Sequence, residues 1–297
     1  MNKILYCKEI AQKIKDELKE EVLKIESSER PTLAVVRVDT NNELDDFANK
    51  KYIGNKEASC KYTGINSVLI EKEFNTTEEQ LIRVIKKLNK DKSIHGIMVQ
   101  EPLPKHIDAK KISEIIDQDK DVDGFGPSNT WLTVLGKECN NPCTPAGIMK
   151  IFEYYNIELK GKNIVIVGRS NIVGKPLSSL LINAGATVTV CNSNTRALKK
   201  ITKSADIVVT AIGSPKYFTN KYFKDGQVII DVGINFDSNN KMCGDVHFEK
   251  VTKNLKNISI TPVPGGVGQM TVAMLLSNTF RSYKKQVKAH EDRKKTK

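Results

Sequence analysis

The sequence predicts two α/β domains, the second built on a doubly wound parallel sheet. Three observations predict it. After Pro145 come five short runs rich in Val and Ile, "KNIVIVG", "ATVTVCN", "ADIVVTAIG", "QVIIDVG" and "ISITPV", with helical or turn-rich segments between them. That alternation is the pattern of parallel strands joined by crossover helices. The first run leads directly into "GRSNIVGKP" and then "LSSLLINAG", so a strand, a glycine turn and a helix succeed one another. The half of the chain before Pro145 alternates strands and helices of its own.

The elements follow in order. "TLAVVRVD" (32–39) reads as a buried strand. "ELDDFANKKYIGNKEASCKYTG" reads as a helix, which turns Tyr52 and Lys56, four residues apart, the same way. "TTEEQLIRVIKKLNKD" is a helix with a capping box expected from Thr76 to Glu79. Its apolar positions Leu81, Ile82, Ile85 and Leu88 have helical spacing. "GIMVQ" (96–100) is a strand with Gln100 at its C-terminal end, stopped by the prolines of "EPLP". "DKDVDGFGP" is a polar turn that sets Asp121 and Asp123 beside Gly124. The last helix, "MTVAMLLSNTFRSYKKQV", lies too far from the glycine turn to need a place in the sheet, and is expected to pack back on the first half. The expected organisation is therefore a first domain over 1–145 with the helix of about 270–290 returned to it, a second over 146–269, and a disordered basic tail over 290–297.

Composition bounds the function. A chain of 297 residues, 39% hydrophobic and 28% charged, has the make-up of a soluble globular protein with room for two cores. No stretch is long and apolar enough to span a bilayer. Lys8 and Glu9 cut short the apolar run of "MNKILYCKEI", so no signal peptide is expected and the chain reads as cytoplasmic. The net charge of +12 sits in short lysine runs and in the tail "KKQVKAHEDRKKTK", which read as solvated helix faces. Aromatics are 6% and scattered, without the stacking platforms a nucleic-acid binder needs, so no nucleic-acid partner is expected. The six cysteines show no C-x-x-C pair and there are only four histidines, so no metal site is expected and the thiols read as free.

The glycine turn carries the first chemistry. A pyrophosphate sits on such a turn and on the helix N-terminus behind it. Gly168 permits the tight turn, and Gly174 lets the helix approach the strand. Ser170 stands where the second glycine of G-x-G-x-x-G belongs, with a hydroxyl that can help hold the pyrophosphate. The second strand then ends in "CNSNTR", with no carboxylate for ribose hydroxyls. It offers Ser193 and Arg196 instead, and Arg169 in the turn can reach the same place. A guanidinium beside a hydroxyl suits a dianionic phosphate, so the site reads as one for NADP rather than NAD. The Tyr52/Lys56 pair also occurs in short-chain dehydrogenases, but there it follows the glycine loop. Here it precedes the loop by more than a hundred residues.

Taken together, "YIGNK", "QEPLP", "KDVDGF", "PCTPAGI", "GRSNIVGKP", "DVGIN", "GDVHF" and "TPVPGGVGQMT" occur in the order and spacing of one family. From about residue 4 to residue 285 the chain resembles the bifunctional methylenetetrahydrofolate dehydrogenase/methenyltetrahydrofolate cyclohydrolase family. That family's loop reads G-x-S-x-x-V-G-x-P, which accounts for Ser170. The resemblance implies an N-terminal α/β substrate domain, a Rossmann-type doubly wound parallel-sheet NADP domain and a cleft between them. It implies oxidation of 5,10-methylenetetrahydrofolate with NADP, then hydrolysis of the methenyl product to 10-formyltetrahydrofolate. It further implies a homodimer acting in one-carbon metabolism that serves purine biosynthesis.

By the same resemblance Lys56 is the acid–base group of the hydrolysis and Gln100 hydrogen-bonds and tunes it. Tyr52 stacks on the aminobenzoyl part of the folate, and Asp123 binds the pterin's amino edge. Pro102, Leu103, Pro264, Gly265 and Gly266 complete the substrate contacts. The cofactor contacts begin with Cys143 and Thr144 and continue through Gly168, Arg169, Ser170, Ile172 and Val173. Ser193, Arg196, Ile212, Gly213, Gly233 and Ile234 follow, then Gly268 and Thr271. The chain departs from the family pattern at Asn49 for a serine, at Gln269 for a proline, at Asn192 for a common histidine, and in a longer "TNNELDDFAN" loop. Two other readings are a dehydrogenase that has lost the hydrolase step, and a binding protein without catalysis. Intact Tyr52, Lys56, Gln100 and Asp123 count against the latter.

Overall fold

The computed structural model describes residues 1–295, of which 43–45, 47–51 and 293–295 are described by their backbone alone. The chain forms two compact units. The first gathers Met1–Gln12, Thr133–Lys137 and Pro142–Thr271; the second gathers Lys13–Leu132, Glu138–Asn141 and the chain from Val272.

The first unit holds a six-stranded, all-parallel sheet. Its strands are β1 (Lys3–Ile4), then β5 (Asn163–Val167), β6 (Thr187–Cys191), β7 (Ile207–Thr210), β8 (Val228–Asp231) and β11 (Ser259–Ile260), where β2 to β4 belong to the second unit. Their order across the sheet is β1-β11-β8-β7-β5-β6. The Val/Ile runs of β5, β7 and β8 form central strands buried on both faces, as parallel sheets favour, whereas the edge strand β6 keeps Thr187, Thr189 and Val190 exposed. Val165, Val167, Val208, Ile229 and Ile260 pack with Phe218, Phe223 and Val251 in one core. From β5 the chain steps outward to β6 and then returns across β5 to β7. The order reverses at the C-terminal end of β5, where the Gly168 turn lies, and ligands of open α/β sheets bind at such a reversal.

Two features of this unit were not legible beforehand. Residues 1–12 join it rather than the first domain expected over 1–145. Lys3 N–H donates to Ile258 O and Leu5 N–H to Ile260 O, both at 2.8 Å, and Leu5 is fully buried. A strand of two residues has no periodicity to read. A short antiparallel pair, β9 (Asn235–Phe236) with β10 (Met242–Cys243), also interrupts the path from β8 to the next helix.

The second unit is built on the parallel sheet β3-β2-β4: β2 (Thr32–Val38) lies between β3 (Asn66–Lys72) and β4 (Gly96–Val99). Helices α1 (Lys8–Val22), α2 (Glu43–Thr63) and α3 (Glu78–Lys90) precede or cross between the strands. Leu81, Ile85 and Leu88 of α3 pack on Ala34, Val36 and Ile97. The capping box expected from Thr76 falls one residue later. Thr77 Oγ1 accepts from Gln80 N–H at 3.3 Å, and Gln80 Oε1 accepts from Thr77 N–H at 2.8 Å. Both Thr-x-x-Glu and Thr-x-x-Gln fit the box; Thr76 is spent in the preceding turn, its N–H on Glu73 O and its carbonyl on His106.

Helices α4 (Ala109–Ile115) and α5 (Pro127–Val134) flank the Asp121 turn, and α6 (Cys143–Tyr154), α7 (Gly174–Asn183), α8 (Leu198–Ser204) and α9 (Phe248–Asn254) belong to the first unit. The last helix, α10 (Gly268–Lys295), is clamped to the second unit: Asn278 Nδ2 donates to Val122 O and to Asn141 O, both at 2.9 Å. It is helical to Lys295, where a disordered tail was expected from 290. Ala, Glu, Lys and Arg in this stretch are strong helix formers that continue a helix already nucleated by packing. All six cysteines are free and buried. Among the described residues no helix is long and apolar enough to cross a membrane.

Candidate functional site

The second unit brings Tyr52, Lys56, Gln100 and Asp123 into one cluster. One turn of α2 separates Tyr52 from Lys56, and the Lys56 ammonium stands 5.9 Å from the Tyr52 ring centre. Lys56 is only 4% exposed. It donates to Gln100 Oε1 at 2.5 Å. The Gln100 amide is oriented from its other end, where Nε2 donates to Glu101 O at 2.6 Å and leaves the oxygen for the lysine. Its backbone N–H is tied to Val36 O at 2.8 Å, which anchors the residue just past the end of β4. Pro102 follows through a cis peptide, and Leu103 lines a small pocket with Glu101, Asp123 and Phe125.

Asp123 is positioned by its neighbour. The buried Asp121 carboxylate accepts from the N–H groups of Gly124 (3.0 Å), Phe125 (3.4 Å) and Gly126 (2.8 Å), and from Asn129 Nδ2 (3.0 Å). A carboxylate so satisfied winds the chain around itself, and Asp123 lies within that turn, lining the same small pocket. Burial pushes the Asp123 carboxyl up to about 7; the Lys56 charge opposes the rise, and Asp121 and Glu101 add to it. Burial likewise raises the Tyr52 phenol.

The first unit assembles residues expected to hold a dinucleotide at the C-terminal edge of its sheet. Gly168 has φ +133°, and a Cβ there would lie 2.2 Å from Ala211 O. A Cβ on Gly174 would lie 2.1 Å from Gly168 O. So the turn after β5 is wedged between the turn after β7 and the start of α7, and only glycine fits either place. Ser170 shapes this loop: its Oγ accepts from Val173 N–H at 3.2 Å, a contact glycine lacks, which leaves the hydroxyl hydrogen to donate outward. Arg169, Ser193 and Arg196 are exposed, and neither arginine makes an ion pair among the described residues. Ile172, Ile212 and Ile234 follow three neighbouring strands and are 45%, 38% and 45% exposed. Exposed isoleucines grouped at a strand reversal are what a flat, partly apolar ligand covers. Cys143 and Thr144 open α6, and Thr144 Oγ1 lies 3.4 Å from Thr271 Oγ1. A Cβ on Gly268 would lie 3.4 Å from Ile234. A pyrophosphate, a cationic pocket for a ribose phosphate and an apolar wall for a ring all find donors or surface here, so the residues present fit a phosphorylated dinucleotide.

Pro264, Gly265 and Gly266, expected to touch substrate, form a turn of this first unit. Gly265 has φ +102°, and a Cβ on Gly266 would lie 2.3 Å from Pro262 O. The departure at Gln269 is used by the fold: its N–H, which a proline lacks, donates to Gly266 O at 3.0 Å. Asn192 closes its own loop, Oδ1 accepting from Asn194 N–H at 2.9 Å. The side chain of Asn49 lies outside the described residues. Two residues of the site region escaped the sequence reading, Asp231 in "DVGIN" and Asp245 in "GDVHF". The available signal was an acid placed directly beside a glycine or a strand end.

Known proteins resemble the chain over nearly its whole length. Residues 5–123 match the family model for the tetrahydrofolate dehydrogenase/cyclohydrolase catalytic domain, and residues 142–287 match the model for its NAD(P)-binding domain. The chain is 48% identical to the bifunctional protein FolD of Agathobacter rectalis, over 96% of this chain and 100% of that one. The crystal structure of the bifunctional FolD methylenetetrahydrofolate dehydrogenase/cyclohydrolase of Campylobacter jejuni superposes with a TM-score of 0.90, at 44% identity over 96% of this chain and 100% of that one. The Trypanosoma brucei enzyme, complexed with NADP cofactor and inhibitor, superposes with a TM-score of 0.87, at 33% identity over 96% and 98%. With both family models matched across nearly its whole length, the chain belongs to the tetrahydrofolate dehydrogenase/cyclohydrolase family.

Proposed function

We propose that this chain oxidises 5,10-methylenetetrahydrofolate with NADP and hydrolyses the methenyl product to 10-formyltetrahydrofolate, with Lys56 as the acid–base group of the hydrolysis. The observation that carries the assignment is the buried Lys56 amine, held at 2.5 Å by Gln100. Hydride transfer needs two flat rings aligned and no protein base. NADP, when bound, supplies the hydride acceptor. Arg169, Ser193 and Arg196 bind its ribose phosphate, the Gly168 turn and the start of α7 take its pyrophosphate, and Ile172, Ile212 and Ile234 cover its rings.

Hydrolysis is where the protein moves protons. Water adds to the methenyl carbon, and Lys56, whose ammonium gives up its proton when the methenyl cation binds beside it, takes the proton that the new C–O bond releases. Lys56 then returns a proton to the ring nitrogen as its bond to that carbon breaks, and the carbinol oxygen loses its remaining proton to water as the formyl C=O forms. Gln100 restrains one N–H of the amine and so directs the others, Tyr52 covers the aminobenzoyl ring, and Asp123 accepts from the pterin's amino edge. We further propose that the chain acts in the cytoplasm as a homodimer, in one-carbon metabolism that serves purine biosynthesis; the resemblance of the whole chain to its family supports this. The direct test incubates purified protein with methylenetetrahydrofolate and either NADP or NAD, following methenyl, formyl and reduced cofactor together. Reduced cofactor without formyl product would leave a dehydrogenase only.

Arg169→Ala is expected to weaken NADP by about the 1.5–3 kcal/mol of a charge-assisted hydrogen bond and to leave NAD nearly unchanged. Titration with both nucleotides measures this, and equal loss for both would remove the phosphate from Arg169. Asp123 gives a pH effect of known sign. Its carboxyl titrates near 7, and only the ionised form accepts two N–H donors, so folate binding competes with the proton below that pH. The KM for folate should rise about tenfold from pH 8 to pH 6, as linkage for a single group requires. Asp123→Asn should have a high KM that no longer changes with pH; a persisting pH dependence would place the titrating group elsewhere.

A further inference from the structure

Asp245 is fully buried, yet it carries no part of either reaction. Its Oδ2 accepts from Ile212 N–H at 2.7 Å and Gly213 N–H at 3.3 Å. Its Oδ1 accepts from Ser214 N–H at 2.8 Å and from Asn235 Nδ2 at 2.9 Å. Three successive backbone N–H groups of the turn after β7 thus converge on one carboxylate, a concavity of the kind that elsewhere holds a phosphate. Here the protein fills that concavity itself. Through Asn235 the same carboxylate reaches the segment after β8, which carries Gly233 and Ile234.

A second buried carboxylate supports the first. Asp231, 3% exposed, accepts from Asp245 N–H at 3.0 Å, Val246 N–H at 2.9 Å and Gly233 N–H at 3.0 Å. The packing leaves no slack. A Cβ on Gly233 would lie 2.4 Å from Asp245 Oδ1, and one on Gly244 would lie 1.9 Å from Asp231 Oδ2. Isolated carboxylates are costly to bury, and these two are each surrounded by backbone donors. What the arrangement settles is the position of two loops that otherwise belong to separate strands.

We propose that Asp245, held by Asp231, is a positioning residue for the dinucleotide, which docks the turn after β7 against the segment after β8 so that Ile212 and Ile234 present one preformed apolar wall. The proposal rests on the reading of the dinucleotide site given above. Asp245→Asn replaces one acceptor oxygen with a donor that must face a backbone N–H or the Asn235 amide. One of the two loops is then released, and the wall must be reassembled on binding.

The test uses the full-length protein and NADP itself. Nucleotide titration of Asp245→Asn should show the NADP dissociation constant raised about ten- to a hundredfold, the range of lost hydrogen bonds to a charged group. In the dehydrogenase assay the KM for NADP should rise with it, while kcat at saturating NADP stays within about threefold and the KM for folate is unmoved. A merely structural role would lower the amount of active protein and therefore kcat, leaving the KM for NADP in place. Asn235→Ala, a half-buried position that removes only the tie to the second loop, covers the case in which Asp245→Asn does not fold. It should raise the NADP dissociation constant about threefold or more. A parent chain that binds NADP, with folded variants that bind it equally well, overturns this proposal alone. A parent that binds no NADP overturns the dinucleotide reading, and this proposal with it.

Discussion

Lys56→Met should lower the hydrolase rate by about 10²–10⁴-fold, the usual loss when a general acid or base is removed. Methionine keeps the length and the apolar stem of lysine but carries no proton. Its thioether would sit in the buried space that Lys56 occupies at 4% exposure, against Gln100. The Gln100 oxygen would lose its donor at 2.5 Å, so some loss of folate positioning accompanies the loss of proton transfer. Hydride transfer depends on that positioning alone. The dehydrogenase rate should therefore fall less, and methenyltetrahydrofolate should accumulate when methylenetetrahydrofolate and NADP are supplied. Both rates are read on one preparation from the absorbance of the methenyl product and of reduced cofactor. Hydrolysis at the parent rate would remove Lys56 from the mechanism.

The second large effect concerns Gly168. Gly168→Ala puts a methyl group where Ala211 O lies 2.2 Å away, on a residue whose φ of +133° side chains rarely adopt. Neither neighbour can yield easily. Ala211 N–H is itself bonded to Val167 O at 2.8 Å, and Gly174 packs against Gly168 O from the other side. The backbone conformation alone costs about 1–3 kcal/mol, and the overlap adds to it. The turn must shift, and with it Arg169 and Ser170. NADP affinity should fall by about a hundredfold or more, and the melting temperature by several degrees, as a loss of a few kcal/mol implies for a chain of this size. Gly226→Ala is the comparison. Gly226 also has a positive φ, +75°, but a Cβ there meets nothing within 4 Å. It should cost stability of about 1 kcal/mol and leave NADP binding as in the parent. If Gly168→Ala binds NADP as tightly as Gly226→Ala does, the close approach to Ala211 has no part in shaping the nucleotide site.

How far the site was legible depended on whether a residue's partner lies close in sequence. Tyr52 and Lys56 share a helix face by spacing alone. The glycine turn announces itself between an apolar run and a helix. The Thr77 cap was misplaced by one residue because two overlapping boxes satisfy the same local rule, and only the burial of Thr76 against the His106 segment chooses between them. The strand at Lys3–Ile4 was invisible because its hydrogen-bond partners lie some 256 residues away.

By itself the sequence determined the α/β class, the parallel sheet after Pro145, the glycine turn, the lack of a carboxylate at the end of the second nucleotide-binding strand, and, through its ordered motifs, the family. Those properties reside in local periodicity, turn chemistry and residue type. Only the tertiary structure decided that Gln100 turns its oxygen to Lys56, that Asp121 builds the turn presenting Asp123, and that Asp231 and Asp245 are spent on backbone N–H groups rather than on a ligand. The reason is physical. A carboxylate or an amide takes its role from the donors and the dielectric around it, and those arrive from strands and loops distant in the chain.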